Sequence, residues 1–250
     1  MFHVEQPEPS KLRGVPPPET LRTICSRNGL LLSDAQQGLL VRYVEALLEW
    51  NAKVNLISRR DQENVWFSHV LHSLALLFYF ELPDNARVLD LGTGGGLPGI
   101  PVAIARPGIK FVLLDSIKKK TTAVQEIVER LGLTGVSVRT GRAEEIHRGQ
   151  GEIGTFDIVM ARAVASLRDL ARWSRPYLKV SGTNPGLIPE GKRIALTSPA
   201  LVALKGGDLE TEIAEARIKE RVKSFRIIPM SFDGALELGL EDKKAVVISL

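Results

Sequence analysis

The sequence predicts an α/β fold, a doubly wound and mostly parallel seven-stranded sheet ending in an antiparallel hairpin, preceded by a helical N-terminal extension. Three observations predict it. After Pro83-Asp84, apolar runs near 87–91, 110–114, 136–139, 156–160 and 200–204 alternate with amphipathic stretches, the pattern of a parallel sheet with helices on both faces. The last two runs, near 223–229 and 244–249, have a short connector and should pair antiparallel. Finally, Arg87 to Gly99 reads as an apolar strand ending in Asp90 and breaking into a loop with five glycines in eight residues, which allows close approach of a ligand to the backbone.

Each segment has its own reason. Residues 1–18 carry prolines at 7, 9 and 16–18 and are expected to form a flexible arm. Residues 19–83 read as a helical appendage. Ser33-Asp34 starts a helix through Trp50, with Leu39, Leu40, Tyr43, Val44, Leu47 and Leu48 at helical spacing, and a second apolar segment runs from Val65 to Leu82. Residues 84–250 form the α/β domain. A 250-residue chain that is 44% hydrophobic accommodates such a domain and its core. The longest apolar stretch, Leu74 to Phe80, is too short to span a bilayer, and the N-terminus lacks a signal-peptide pattern. A soluble cytoplasmic protein, with no membrane partner, is therefore expected. Cys25 is the only cysteine, which excludes an intrachain disulfide and a cysteine-based metal site; no metal is expected. The net charge of +4 permits a polyanionic partner without requiring one.

The glycine loop implies a nucleotide-cofactor pocket, with a helix beginning near Pro98 aiming its positive end at the same place. Gly94 to Gly99 also satisfies G-x-G-x-x-G, with Asp115 about 20 residues on, so a nicotinamide-dependent oxidoreductase is one reading. However, Asp90 and Gly92-Thr93 lengthen the loop and put a negative charge beside it, which disfavours a pyrophosphate. S-adenosylmethionine, with a sulfonium and an ammonium group, fits better. Phe111 to Asp115 followed by Ile117 to Leu131 reads as strand, turn and helix; Asp115 is placed either to accept from ribose hydroxyls or to cap that helix. Val136 to Arg139 leads to Ala143 and Glu144, beside the expected adenine position.

Leu91 to Pro101, Leu114-Asp115-Ser116, Arg142-Ala143-Glu144 and Ala161 to Leu167 together resemble the RsmG family, also called GidB. So do Trp50-Asn51-Ala52-Lys53-Val54-Asn55-Leu56, His69 to Ser73 and Ala203-Leu204-Lys205-Gly206, the similarity running from about Leu31 to the end. The resemblance implies a class I S-adenosylmethionine-dependent methyltransferase fold. It further implies transfer of a methyl group to guanine N7 in 16S ribosomal RNA, with the RNA, the small ribosomal subunit or an assembly intermediate as partner. A non-catalytic cofactor-binding assembly factor is a further reading. By resemblance, Gly92 and Leu97 contact the methionine end of the cofactor, Gly94 belongs to its loop, Ala143 and Glu144 contact the adenosine, and Arg162 lines the pocket. Asp115 as ribose acceptor follows the general methyltransferase pattern. The chain departs from the family in His72, where an aspartate is usual, in a longer segment from Gly182 to Pro199, and in the proline-rich arm.

Guanine N7 carries a lone pair and no proton, so transfer to it needs alignment rather than a general base. Nothing resembles the N-P-P-Y clamp used on exocyclic amines, and Cys25 lies far from the catalytic segment a pyrimidine-C5 mechanism would need it in. No catalytic residue is assigned; Arg162, Asn51, Lys53 and Lys205 are candidates for positioning the substrate, Arg162 as a fork against O6. Candidate RNA contacts are Arg59 and Arg60, the lysines from Lys118 to Lys120, and Arg168, Arg172 and Arg175, whose spacing puts them along one helix face.

Overall fold

The computed structural model describes residues 19–146, 152–180, 188–190, 193–196, 198–236, 239–240 and 242–250. The expected arm, residues 1–18, lies outside the described residues. Helix α1 (Glu19–Arg27) precedes α2 (Asp34–Asn51). Ser33 and Gln36 form a capping box at the start of α2, each side chain taking the other's backbone N–H. Gln36 also donates to the carbonyls of Ile104 and Ala105, both at 3.0 Å. A 3-10 turn at Arg59–Asp61, a π-helical turn at Trp66–Leu71, and the short helices α3 (His72–Leu74) and α4 (Leu76–Tyr79) complete the N-terminal region. The apolar segment 65–82 is thus broken into turns, one of them the π form that recurs at functional sites.

Strand β1 (Phe80–Glu81) is followed by β2 (Arg87–Leu91), α5 (Gly99–Ala105), β3 (Lys110–Asp115), α6 (Lys118–Leu131), β4 (Val136–Thr140), α7 (Ala143–Ile146), β5 (Ile158–Arg162) and α8 (Leu167–Ser174). Then come β6 (Ile188–Glu190), β7 (Arg193–Ala195), β8 (Ala200–Gly206), α9 (Glu210–Glu220), β9 (Ser224–Pro229) and β10 (Lys243–Ser249). The main sheet has seven strands in the order β4-β3-β2-β5-β8-β10-β9. The first five are parallel; β10 inserts between β8 and β9 and runs antiparallel to both. Within the segment 182–199, β6 and β7 form a small sheet with β1, strands too short for periodicity to reveal.

Alternation along the central strands divides the core. Val88, Phe111, Leu113, Ile158, Met160 and Val202 face a layer made by α1 to α6, whereas Leu89, Val112, Leu114, Val159, Ala161 and Leu201 face α8 and α9. The N-terminal helices share one apolar cluster with the first face. They form part of the covering layer on that face of the sheet. Among the described residues no helix is long and apolar enough to cross a membrane.

Candidate active site

A cavity of about 550 Å³ opens at the C-terminal ends of β2, β3 and β5, where ligands bind in parallel sheets. All seven residues expected to hold the cofactor, Gly92, Gly94, Leu97, Asp115, Ala143, Glu144 and Arg162, line it. It also takes in residues the sequence reading did not assign to it. Leu56 and Ile57 come from the N-terminal layer, His69 from the π turn, Lys120 from α6 and Trp173 from α8.

The glycine loop is built differently from the expectation. Its backbone donors are largely used: Gly92 and Thr93 N–H both donate to Leu114 O, at 2.8 and 2.9 Å, and Gly94 N–H donates to Asp115 Oδ2 at 3.0 Å. The start of α5 is taken as well, because Gly99 N–H donates to Asp90 Oδ2 at 2.9 Å. Asp90 was expected beside the ligand. Instead it is fully buried on the first face beneath the loop, where the same Oδ2 accepts Thr93 Oγ1–H at 2.6 Å. Burial pushes its carboxyl up to about 6, against the pull of the two hydrogen bonds. A pyrophosphate would need the donors that Asp90, Asp115 and Leu114 already occupy. The loop therefore suits a ligand without phosphate.

Two glycines show why the loop needs them. Gly92 has φ +72°, and a Cβ there would lie 2.5 Å from Val164 Cγ2, so the side chain would strike the loop after β5 rather than the ligand space itself. A Cβ on Gly99 would lie 2.3 Å from Leu113 Cδ2 and 2.7 Å from Asp90 Oδ2. The N-terminal layer also holds the loop: the buried Tyr43 hydroxyl donates to Gly95 O at 2.9 Å. Asp115 combines its two expected readings, since it lines the cavity while its Oδ1 accepts Ile117 N–H at 2.9 Å at the start of α6. Across the cavity, Ala143 O accepts the Tyr177 hydroxyl at 2.7 Å.

The substrate-side candidates have partners within the protein. Asn51 does not line the cavity; its Oδ1 accepts Leu56 and Ile57 N–H, at 2.8 and 2.9 Å, and so shapes the cavity wall. Lys53 lies over the Trp50 ring, 5.0 Å from its centroid, away from the cavity lining. Lys205 Nζ is tied to Ala165 O at 2.7 Å and Glu212 Oε2 at 2.8 Å. Arg162 does line the cavity, but its fork turns to the π turn, donating to Ser68 O at 3.2 Å and His69 Nδ1 at 2.9 Å. A guanidinium only donates, so His69 Nδ1 accepts and the ring proton sits on Nε2, 3.4 Å from Asp61 Oδ2. Burial first, then Arg162, holds His69 down to about 4 and His72 to about 3.

The arginine face of α8 is not a free basic surface. Arg168 pairs with Glu220 at 3.4 Å, Arg172 with Asp169 at 3.0 Å, and Arg175 donates to Glu220 O. By contrast Arg59 and Arg60 are exposed next to Ser58 at the cavity wall and carry no ion pair among the described residues. Lys118 is exposed beside a shallow hollow between α6 and β4. No cluster of metal-ligating side chains occurs among the described residues.

The strand order, the inserted antiparallel last strand and the cavity at the glycine loop define a class I methyltransferase fold. Residues 36–187 match the family model described as rRNA small subunit methyltransferase G. The chain is 43% identical over 198 residues to ribosomal RNA small subunit methyltransferase G of Chlorobium luteolum, covering 79% of this chain and 74% of that one. It is 40% identical over 232 residues to the protein of that name from Chlorobaculum tepidum, covering 91% and 95%. For the one from Bacteroides fragilis the identity is 41% over 219 residues, covering 88% and 95%. The chain belongs to the rRNA small subunit methyltransferase G family.

Proposed function

We propose that this protein is a cytoplasmic S-adenosylmethionine-dependent methyltransferase acting on guanine N7 in 16S ribosomal RNA, presented as RNA or within the small subunit or its assembly intermediate. The observation that carries the reading is the cavity itself: a nucleoside-sized space beside Asp115, walled by a glycine loop whose phosphate-binding donors are spent on Asp90, Asp115 and Leu114. The family's name supports the methyl transfer and the small-subunit RNA. When bound, S-adenosylmethionine supplies an electrophilic methyl on a sulfonium, which the N7 lone pair takes as the C–S bonding pair leaves to sulfur, with no proton lost.

This chain's own residues hold and align. Asp115 offers a carboxylate to the ribose hydroxyls, and Ala143 leaves room for the adenine next to Glu144. Gly92, Gly94 and Leu97 shape the methionine end, and Arg162 is fixed at the far wall by Ser68 and His69. Arg59 and Arg60, exposed beside Ser58 of the cavity wall, offer charge to RNA phosphates. None of these roles removes a proton, as the reaction requires. Calorimetry tests the cofactor: S-adenosylmethionine should bind and nicotinamide dinucleotides should not. Binding of the dinucleotide alone would return the oxidoreductase reading.

A further inference from the structure

A second cavity, of about 400 Å³, lies behind the first and shares His69, Arg162 and Ala163 with it. Its chemistry is uneven. Arg162, Lys205 and Lys243 line it, but Lys205 is paired with Glu212. Its acid is Asp61, whose side chain is 41% exposed and lies 3.4 Å from His69 Nε2. His72 also lines it, 7% exposed, with Nε2 buried and without a hydrogen-bond partner. With His72 in place of a carboxylate, nothing at that position offsets the charge of Arg162 and Lys243.

We propose that this second cavity receives the target base, with Lys243, Arg162 and His72 on its O6 edge and Asp61 facing its N1–H and N2–H₂ donors, leaving N7 at the opening shared with the cofactor cavity. The inference rests on the methyltransferase reading above. It follows from matching donors to acceptors. Guanine presents N7 and O6 as adjacent acceptors, whereas adenine puts the N6 amino donor where O6 would be. Cations on that edge therefore accept guanine and repel adenine, and the carboxylate next along adds a second discrimination. An enzyme that acts on a single base takes it out of the stack into such a pocket and reads its Watson–Crick edge there. The chain from Asp61 through neutral His69 to Arg162 keeps the acid and the guanidinium a fixed distance apart, so the two ends of the edge are read together.

The test uses the full chain, in three measurements. Guanosine and adenosine 5′-monophosphate are titrated against protein saturated with S-adenosylhomocysteine, followed by saturation-transfer NMR; guanosine monophosphate should bind and adenosine monophosphate should not. Lys243→Met should raise KM for small-subunit RNA, or lower kcat/KM, by roughly tenfold, while S-adenosylmethionine affinity and melting temperature stay near wild type. RNA transcribed with inosine in place of guanosine lacks the N2 amino group and should lose rate with the wild type, whereas Asp61→Ala, which has no acceptor, should no longer distinguish inosine from guanosine. Equal or absent binding of the two monophosphates, or a Lys243→Met enzyme with wild-type kcat/KM, or an Asp61→Ala enzyme that still distinguishes inosine, would overturn the assignment. Failure of the underlying reading has a different sign: the wild type itself would not bind S-adenosylmethionine.

Discussion

The two faces of the sheet differ in where they keep their charged and polar side chains. On the face covered by the N-terminal helices, Asn51, Trp66, His72 and Asp90 are buried, and each keeps an atom without a partner. On the other face, Trp173 Nε1 and Ser174 Oγ of α8 are buried without a partner, and basic residues are numerous but engaged: Arg168 and Arg175 with Glu220, Arg172 with Asp169, Lys205 with Glu212. Buried polar atoms left unpaired cost stability, and among these His72 Nε2 belongs to a residue that lines the second cavity. Arg168 and Arg175, closed onto Glu220, instead tie α8 to α9, while Arg172 pairs within α8. Charge counted along a sequence locates neither.

The largest effect should come from the first face. Asp90→Ala leaves the Gly99 N–H and Thr93 hydroxyl without an acceptor under the loop. It should cost on the order of 2–4 kcal/mol in chemical denaturation and abolish S-adenosylmethionine binding. If that variant binds the cofactor normally, the glycine loop does not depend on the buried carboxylate. Gly92→Ala should come next, through its positive φ and its clash with Val164. Adding Val164→Ala should restore part of the lost cofactor affinity, which a direct clash with the ligand would not allow.

Asp115→Ala should weaken the cofactor roughly ten- to hundredfold and also lower the melting temperature, because the carboxylate accepts both Gly94 and Ile117 N–H. Asp115→Asn should recover part of each. A variant that only melts earlier would reduce Asp115 to a cap. Smaller still, and dividing the faces directly, Arg59→Ala with Arg60→Ala should weaken RNA binding several-fold and flatten its salt dependence by about one phosphate per residue lost. Arg172→Ala on the second face should change RNA affinity less than about twofold, since exposed ion pairs contribute only ~0–1 kcal/mol and this one is already closed. The reverse order would put the RNA on α8.

Most of the architecture was legible in the chain. The seven strands and the α2 start at Ser33 follow from apolar alternation and a capping signal, whereas the cofactor-cavity residues are implied by the family resemblance and, for Asp115, by the general methyltransferase pattern. The substrate side was less so. Asn51 accepts from the backbone amides of Leu56 and Ile57, and Lys205 donates to the carbonyl of Ala165 40 residues away along the chain, and no periodicity encodes either contact. The π turn that brings His69 against Arg162 has no propensity signature, and the arginines of α8 share a face as spacing requires while their partner Glu220 lies on α9. Local pattern fixes elements; pairing across elements decides which charges remain free.

The smallest expected effect is a pH dependence with two opposing parts. His69 and His72, held near 4 and 3 against 6.5 in the unfolded chain, stay neutral when the unfolded chain takes up protons, so stability falls from pH 6.5 towards 4. Asp90, raised to about 6 from 3.8, is protonated first in the folded state and stabilises it over much of the same range. Asp90→Asn should therefore lose melting temperature more steeply than wild type between pH 6.5 and 4. Parallel curves would mean that Asp90 does not titrate in this window.

The most direct measurement of the central claim is methyl transfer from S-adenosylmethionine to small-subunit RNA in which 7-deazaguanosine replaces guanosine, with nucleoside mass spectrometry of the natural RNA alongside. A lone pair at N7 is the only nucleophile the site needs, so the natural RNA should yield 7-methylguanosine. The deaza RNA should bind through its phosphates yet accept no methyl group. Methylation of the deaza RNA would contradict the account and move the acceptor to an exocyclic amine or a ribose hydroxyl.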